Sequence, residues 1–325
     1  MAEMQYTKTL LFTLLMILVG CSDPVVEQIA QQTPITEKRI EQLANALEQG
    51  QVRNAALISQ YANTLRQSKP ELSALINEFA KDASTQSPMY KSLVDRLSTV
   101  KNQPDMFASK QAIFEELLNI YQAADPVLYS DALSDPLNVL ADMSDGALPR
   151  INSLSKAQSM QANNAQDFGV GEQLIGNPSY GQWQTGSNGM SFWAWYGMYS
   201  MMGDLFGSRR TYYSDWGRHR NYSYYNDYGR TRYSSPSQLQ KQTQLDTRTK
   251  KSFASKGQTF NSAYSKNRTG SSSLSSQSKT AQTSAKKFTS NSTNNSSFAK
   301  KSSYSKNASF RNSSNTTSRS FRRGK

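Results

Sequence analysis

The sequence has one histidine and one cysteine among its 325 residues. One histidine, His219, which lies between Arg218 and Arg220, leaves little basis for a zinc site or a Ser-His-Asp triad. No Gly-x-Ser-x-Gly elbow and no phosphate-binding glycine loop occurs. Glu115 and Glu116 are adjacent and are interpreted as the solvated side of a helix. The sequence therefore predicts no enzyme, no metal site and no cofactor.

Acidic residues are missing from the C-terminal part of the chain. All 24 Asp and Glu lie at or before Asp246, whereas residues 247–325 carry 17 Lys and Arg. The formal net charge of +13 is therefore concentrated at one end. A nearly balanced body joined to a strongly basic tail is typical of a protein that meets anionic partners.

Residues 1–20 are interpreted as a signal peptide. Lys8 provides a basic start, and the apolar run over 10–19 is too short to span a bilayer comfortably. Glu3 is unusual in such a basic start, so we expect translation to begin at Met4 rather than at Met1.

Leu18, Val19, Gly20 and Cys21 end this segment. Their arrangement resembles the lipobox of bacterial lipoproteins. The resemblance implies that signal peptidase recognises the first three residues and cuts before Cys21, whose thiol carries a covalent diacylglycerol. In enteric-type envelopes, Asp after that cysteine retains the protein in the inner membrane. Ser22 occupies the position here, so the resemblance implies an outer rather than an inner membrane location.

Residues 21–165 show the apolar periodicity of amphipathic helices. Ser87-Pro88 and Thr33-Pro34 are typical helix starts. We predict four to six short helices packed as a small bundle, with a partner-binding helix surface as the alternative. The apolar stripes are Ile40, Leu43, Ala44 and Leu47; Leu72, Leu75, Ile76, Phe79 and Ala80; Leu93, Val94, Leu97 and Val100; and Phe114, Leu117, Leu118 and Tyr121.

Residues 166–235 hold 11 of the 17 Gly, all four Trp and ten of the 17 Tyr. Three interpretations stay open: rings packed on the bundle or in self-association, a membrane-surface segment, and a contact site for a polysaccharide or other ligand. The residues expected to contact a ligand or membrane are Trp193, Trp195, Tyr196, Tyr199, Trp216, Arg218 and Arg220.

Residues 236–325 are rich in Ser, Asn, Thr, Lys and Gln and poor in aliphatic residues. Such a segment buries too little apolar surface to offset the entropy of folding, so we predict a disordered basic tail. Single aromatic rings beside cations recur along it and favour polyanion binding, with a merely solvating tail as the alternative. The expected contact residues are Lys250, Lys251, Phe253, Lys300, Lys301, Tyr304, Arg322 and Arg323.

The sequence thus predicts a mainly α protein: a small amphipathic helical bundle, a Gly/Tyr/Trp-rich segment and a long disordered basic tail. Its expected location is the cell envelope, with the body standing off the membrane on its lipid. An exported protein does not meet chromosomal nucleic acid, so the expected partners of the tail are lipopolysaccharide, acidic polysaccharide or extracellular DNA. The alternative is an assembly accessory that docks an envelope protein through its helical domain.

Overall fold

A computed structural model describes residues 23–265, except 153, 207 and 208. The signal peptide, the lipobox residues with Cys21, and Ser22 lie outside the described residues, as do the tail positions from 266 onward. The described part of the chain is mainly helical, which confirms the predicted fold class. None of the helices found between residues 23 and 265 combines the length and the apolar character needed to cross a bilayer.

The N-terminal half of the described chain forms a bundle of seven helices, where the sequence predicted four to six. The helices of the bundle are α1 Pro24–Glu48, α2 Arg53–Ser68, α3 Ser73–Lys81, α4 Pro88–Asn102, α5 Lys110–Ala123, α6 Pro126–Ala132 and α7 Ser134–Met143. Helix α1 packs along α5, α4 packs against α5, and α2 packs against α3 and α7. Short 3-10 turns, Pro70–Leu72 and Pro104–Met106, precede α3 and α5.

Two of the predicted helix starts have different outcomes. Ser87 caps α4 and accepts a hydrogen bond from the N–H of Tyr90, as predicted. The start at Thr33-Pro34 is wrong, because α1 begins at Pro24 under an Asp23 cap and runs through Pro34. The Thr33 hydroxyl, next to the proline, donates to the carbonyl of Ile29 (2.7 Å), one turn earlier in the same helix.

Most residues of the apolar stripes are buried in the core, whereas Ala44, Ala80 and Tyr121 are half-buried and Val94 is exposed. The same hydrophobic cluster continues into the aromatic segment, so residues 166–235 pack directly on the bundle. Its members from that segment are Leu174, Tyr180, Tyr199, Met202, Tyr222, Tyr224, Tyr225 and Tyr233. For these rings, the interpretation as a segment packed on the bundle is therefore the correct one of the three.

Glu116 is not on the solvated side of its helix. Its side chain is 3% exposed, and its Oε1 accepts from Nε of Arg96 at 2.6 Å. Arg96 also donates to the backbone carbonyl of Arg232. The pair therefore joins α4 and α5 to the C-terminal segment, a long-range contact that helical periodicity cannot reveal.

Beyond the bundle, short elements surround one β-hairpin. Strands β1 Gly181–Thr185 and β2 Ser191–Trp195 are antiparallel, with Trp183 opposite Trp193. A π-helical turn, Tyr225–Gly229, leads into α11. The helices here are α8 Lys156–Asn163, α9 Met201–Phe206, α10 Tyr213–His219, α11 Arg230–Tyr233 and α12 Pro236–Ala254.

The prediction of disorder from residue 236 is wrong for residues 236–265. Ser235 and Gln238 form a reciprocal capping box at the start of α12, with Pro236 in its first turn. Leu245 and Phe260 are buried in an aromatic cluster. The composition of the tail alone indicates too few apolar residues for a core. In the fold, residues 236–265 bury their apolar side chains against aromatic rings from residues 168–216.

Asp82 provides a pH-dependent stability test. It is fully buried, its Oδ2 accepts from the Tyr180 hydroxyl at 3.2 Å, and burial raises the pKa of its carboxyl well above the usual range. The folded state then keeps a proton that the unfolded state releases near pH 4. The stability contribution is complete below that pH and is lost as pH rises through the folded-state pKa.

We therefore expect Asp82→Asn to gain stability relative to the wild type as pH rises from acid to neutral, by at most about 1.4 kcal/mol per pH unit. The neutral amide has no charge to bury and keeps an oxygen for Tyr180. Urea unfolding at several pH values measures the difference. Parallel stability profiles for the two proteins would show that Asp82 is ionised in the fold or is not buried.

Candidate cationic face

All four tryptophans converge on one side of the hairpin. The ring of Trp183 lies 5.2 Å from those of Trp193 and Trp216, and the rings of Trp193 and Trp195 are 5.7 Å apart. The pairing of β1 with β2 places Trp183 beside Trp193, and Trp216 lies on α10. Gly176 lies so close to Trp216 that an added Cβ would approach its ring to 2.6 Å. The backbone is therefore shaped around this ring.

The segment after α12 closes this tryptophan cluster. The ring of Phe260 packs on Tyr213 (5.7 Å) and Phe253 (5.2 Å), and Tyr264 packs on Trp216 (5.8 Å). Tyr213 donates from its hydroxyl to the carboxylate of Asp246 on α12. Residues 236–264 are thus part of the folded body.

Arg218 and Arg220 differ sharply in burial although only His219 separates them. Arg220 is 1% exposed, and its guanidinium donates to both carboxylate oxygens of Asp227 (2.6 and 3.1 Å) and to the carbonyl of Ala263 (3.1 Å). Arg218 is exposed on α10, with its guanidinium 5.0 Å from the ring centre of Phe253. One arginine is a structural cross-link, and the other faces solvent.

Burial corrects the predicted contact residues of the aromatic segment. Trp193, Tyr199, Trp216 and Arg220 are each 6% exposed or less, so they hold the core and do not present a surface to a ligand or membrane. Trp195 is half-buried, Tyr196 is 41% exposed and Arg218 is exposed, so these three keep surface for contact. Sequence adjacency alone could not separate the two groups.

Exposed arginines stack on rings at the rim of the cluster. The guanidinium of Arg210 lies 4.7 Å from the ring centre of Phe192 on β2, and Arg218 stacks on Phe253. Arg248 of α12 is also exposed and reaches Ser191 Oγ at 3.4 Å, next to Phe192. A guanidinium that stacks by its flat side keeps N–H groups at its edge for anionic oxygens. Each stacked arginine is thus pre-positioned for an anion.

Two predicted lysines lie on α12, the helix that carries Arg248. Lys250 and Lys251 are exposed, and Lys250 lies 3.1 Å from Asp246, which partly compensates its charge. The exposed cations around the tryptophan cluster and along α12 are together called the cationic face. Its members are Arg210, Arg218, Arg248, Lys250 and Lys251, with the rings of Phe192 and Phe253. Lys300, Lys301, Tyr304, Arg322 and Arg323 lie outside the described residues.

The sequence predicts Arg218, Lys250, Lys251 and Phe253 as contact residues, but it places them in different segments with different roles. The fold brings Arg218 onto Phe253, across 35 residues of chain. The sequence did not identify Phe192, Arg210 and Arg248 as contact residues. Arg209-Arg210 is a visible basic pair in the sequence, but the stacking partner of Arg210 depends on the hairpin register.

Two buried carboxyls hold residues 221–225 in place, Asp135 from the bundle and Glu172 from within the aromatic segment. Asp135 of α7 accepts from the N–H groups of Tyr224 and Tyr225 and from the Ser223 hydroxyl, while burial raises its pKa to about 7. Burial likewise raises the pKa of Glu172, whose Oε1 accepts from Asn221, to about 7. The oxygens of both carboxyls accept hydrogen bonds from donors inside the fold. The two groups therefore stabilise the fold and are not arranged as a paired acid and base.

A separate cleft of about 750 Å³ lies between α4, α5 and the first turns of α12. Its floor carries Ala112 and the buried Arg96–Glu116 pair, and Met106 and Phe107 form one rim. Serine, threonine and glutamine side chains line much of the rest. The volume lies in the range of small-ligand sites.

No group of three or more His, Cys, Asp and Glu side chains within the described part of the chain is placed to hold a metal ion. No family model matches the chain, and comparison with curated proteins and with solved structures finds no similar protein.

Proposed function

We propose that the protein is a non-enzymatic, lipid-anchored lipoprotein of the cell envelope that binds anionic polymers. The observation that carries the proposal is the cationic face, where Arg210 and Arg218 stack on exposed or half-buried rings. Stacking restricts the side chains before binding and lowers the entropic cost of each contact. Oxygens of phosphate, sulfate or carboxylate groups suit the edge of a guanidinium.

The basic tail extends the same chemistry. Residues 266–325 contain 13 Lys and Arg and no Asp or Glu, and single aromatic rings recur beside the cations. The described residues end at 265, directly after Tyr264, which packs on Trp216 of α10, the helix that carries Arg218. We propose that Lys300, Lys301, Tyr304, Arg322 and Arg323 add weak contacts to the same polymer.

The resemblance of Leu18 to Cys21 to a lipobox supports export and lipid attachment, and Ser22 favours the outer membrane by analogy. In that compartment the candidate partners are lipopolysaccharide, acidic polysaccharide and extracellular DNA rather than chromosomal nucleic acid. Binding dominated by charge contacts releases counterions and weakens steeply with salt. The proposal therefore predicts affinity that depends on ionic strength.

The alternative is an assembly accessory that docks an envelope protein through its helical domain, and the cleft beside α4 favours it. Truncation separates the two functions only if it spares the fold. A cut at 247 would remove Phe253, Phe260 and Tyr264 from the tryptophan cluster, so the cut belongs after residue 265. Partner capture by residues 22–265, with no polymer binding by residues 22–325, would favour the alternative.

Replacing Arg210, Arg218 and Arg248 by Gln together is expected to weaken lipopolysaccharide binding at low salt by roughly 100-fold, from about 1 kcal/mol per lost cation near an anionic surface. The measurement uses residues 22–325 produced without the signal peptide. All three side chains are exposed, so the substitutions should not disturb the fold. Circular dichroism checks that the fold is retained.

The matched control removes three exposed cations from the bundle, through Lys38→Gln, Arg53→Gln and Lys91→Gln. Both triple variants lose the same net charge, so general electrostatics changes equally. Only the first should lose most of its binding. Equal losses would show that net charge, and not the cationic face, governs the interaction.

Cys21→Ala is expected to abolish lipid attachment and membrane retention. The substitution removes the chain's only thiol, which is the attachment atom in the proposal. Labelling cells with radioactive palmitate and fractionating their membranes measures the effect. Label on the variant, or an unlabelled wild type, would refute the proposed anchor. Cys21→Ser is the companion variant, because a hydroxyl of similar size should not restore attachment.

A further inference from the structure

The proposed lipid attachment site is very close to the folded body. Helix α1 begins at Pro24, and its cap, Asp23, is only two residues after Cys21. Two peptide units span about 7 Å at most. If Cys21 carries the lipid, the body cannot stand off the membrane as the sequence had suggested, and the end of the bundle near Asp23 must lie at the bilayer surface.

An ion pair identifies which other segment shares this end. Lys110 Nζ lies 3.1 Å from Asp23 Oδ2, so the first residue of α5 is beside the start of α1. The loop between α4 and α5 runs directly into Lys110. Its 3-10 turn, Pro104–Met106, therefore lies at the same end of the bundle as the attachment site.

This end presents apolar side chains to the outside. Met106 is 66% exposed, the highest value for a large hydrophobic side chain in the described residues, and Val26 on the first turn of α1 is 44% exposed. Exposed charges surround them on both segments: Asp23, Glu27, Asp105 and Lys110. Three of the four are acidic, so net charge does not attract this end to an anionic bilayer, and the apolar side chains must supply its affinity.

We propose that this end of the bundle is a second bilayer-contact surface, with Met106 inserted among the lipid headgroups and Val26 at the same level. The inference rests on the proposed lipid attachment at Cys21. Flexible, apolar Met suits the boundary between headgroups and acyl chains. Ile35 and Val94 are about as exposed as Val26, so the short tether to Cys21, and not exposure alone, selects this end as the one that meets the bilayer.

The test uses the only free thiol that the lipidated protein would have. Because Cys21 would be bound to lipid, Met106→Cys introduces a unique labelling site in the full mature chain. The variant is labelled with an environment-sensitive fluorophore and reconstituted in vesicles of phosphatidylethanolamine and phosphatidylglycerol that contain doxyl-labelled lipid. Val26→Cys is the second test position. Met190→Cys, between the hairpin strands and 43% exposed, is the matched control.

We expect doxyl lipid to quench the fluorophore at positions 106 and 26 at least twofold more strongly than at 190. Equal and weak quenching at all three, with diacylglycerol on Cys21 confirmed by mass spectrometry, would overturn the contact surface while leaving the anchor intact. Absence of lipid on Cys21 would overturn the proposed anchor and this inference with it. Strong quenching at 190 alone would show that the hairpin, not the end near Asp23, meets the bilayer.

Discussion

Replacing Arg220 by Gln is expected to lower the free energy of unfolding by about 3–5 kcal/mol. The substitution leaves the carboxylate of Asp227, which is 3% exposed, without its bidentate partner. It also removes the donor to the carbonyl of Ala263 and the cation above the Trp216 ring. The loss should appear in urea unfolding monitored by tryptophan fluorescence, because all four tryptophans lie around this region.

Arg218→Gln is the matched control for this prediction. Arg218 has the same side chain two residues earlier, but it is exposed and makes one ring contact, with Phe253. Exposed cation–π pairs are worth about 0.5–1 kcal/mol, so its loss should be several-fold smaller. Equal losses for the two variants would contradict the buried position of Arg220.

Trp216→Ala is the second substitution with a large expected effect, a loss of about 3–5 kcal/mol. Trp216 is 1% exposed and touches the rings of Trp183, Tyr213 and Tyr264. Its removal leaves a cavity between the hairpin, α10 and the segment that follows α12. The near-ultraviolet circular dichroism of the aromatic cluster should decrease, and the midpoint of thermal unfolding should fall.

Tyr196→Ala is the comparison for the aromatic segment. Tyr196 is 41% exposed and its hydroxyl makes one long contact, 3.4 Å, with Gln182. A surface substitution of this kind should change stability by less than about 1 kcal/mol. If Tyr196→Ala were as damaging as Trp216→Ala, the assignment of buried and exposed rings would be incorrect.

Periodicity predicts the bundle well because its helices are amphipathic. Leu43, Leu75, Leu93 and Leu117, one from each predicted stripe, are all fully buried. The rule works because one face of each helix packs on its neighbours, so local spacing already contains the burial pattern. It fails at Thr33-Pro34, where a local start signal occurs inside a longer helix that tertiary packing holds together.

The aromatic segment and the start of the tail defeat local reasoning for a common cause. Trp216 and Arg220 are buried through contacts with residues as distant as Ala263, and α12 folds because rings earlier in the chain cover it. Composition counts what a segment contains and not what lies beside it. The cationic face depends on the same long-range contacts, so its residue types, but not their arrangement, could be predicted.

The salt dependence of polymer binding tests the central proposal most directly. The affinity of residues 22–325 for double-stranded DNA is measured between about 50 and 200 mM salt, alongside a chain that ends at residue 265. We expect a steep negative slope of log affinity against log salt, a shallower slope after truncation, and loss of the remaining binding when Arg210, Arg218 and Arg248 become Gln. Affinity that is independent of salt, or that survives both changes, would contradict the proposed function.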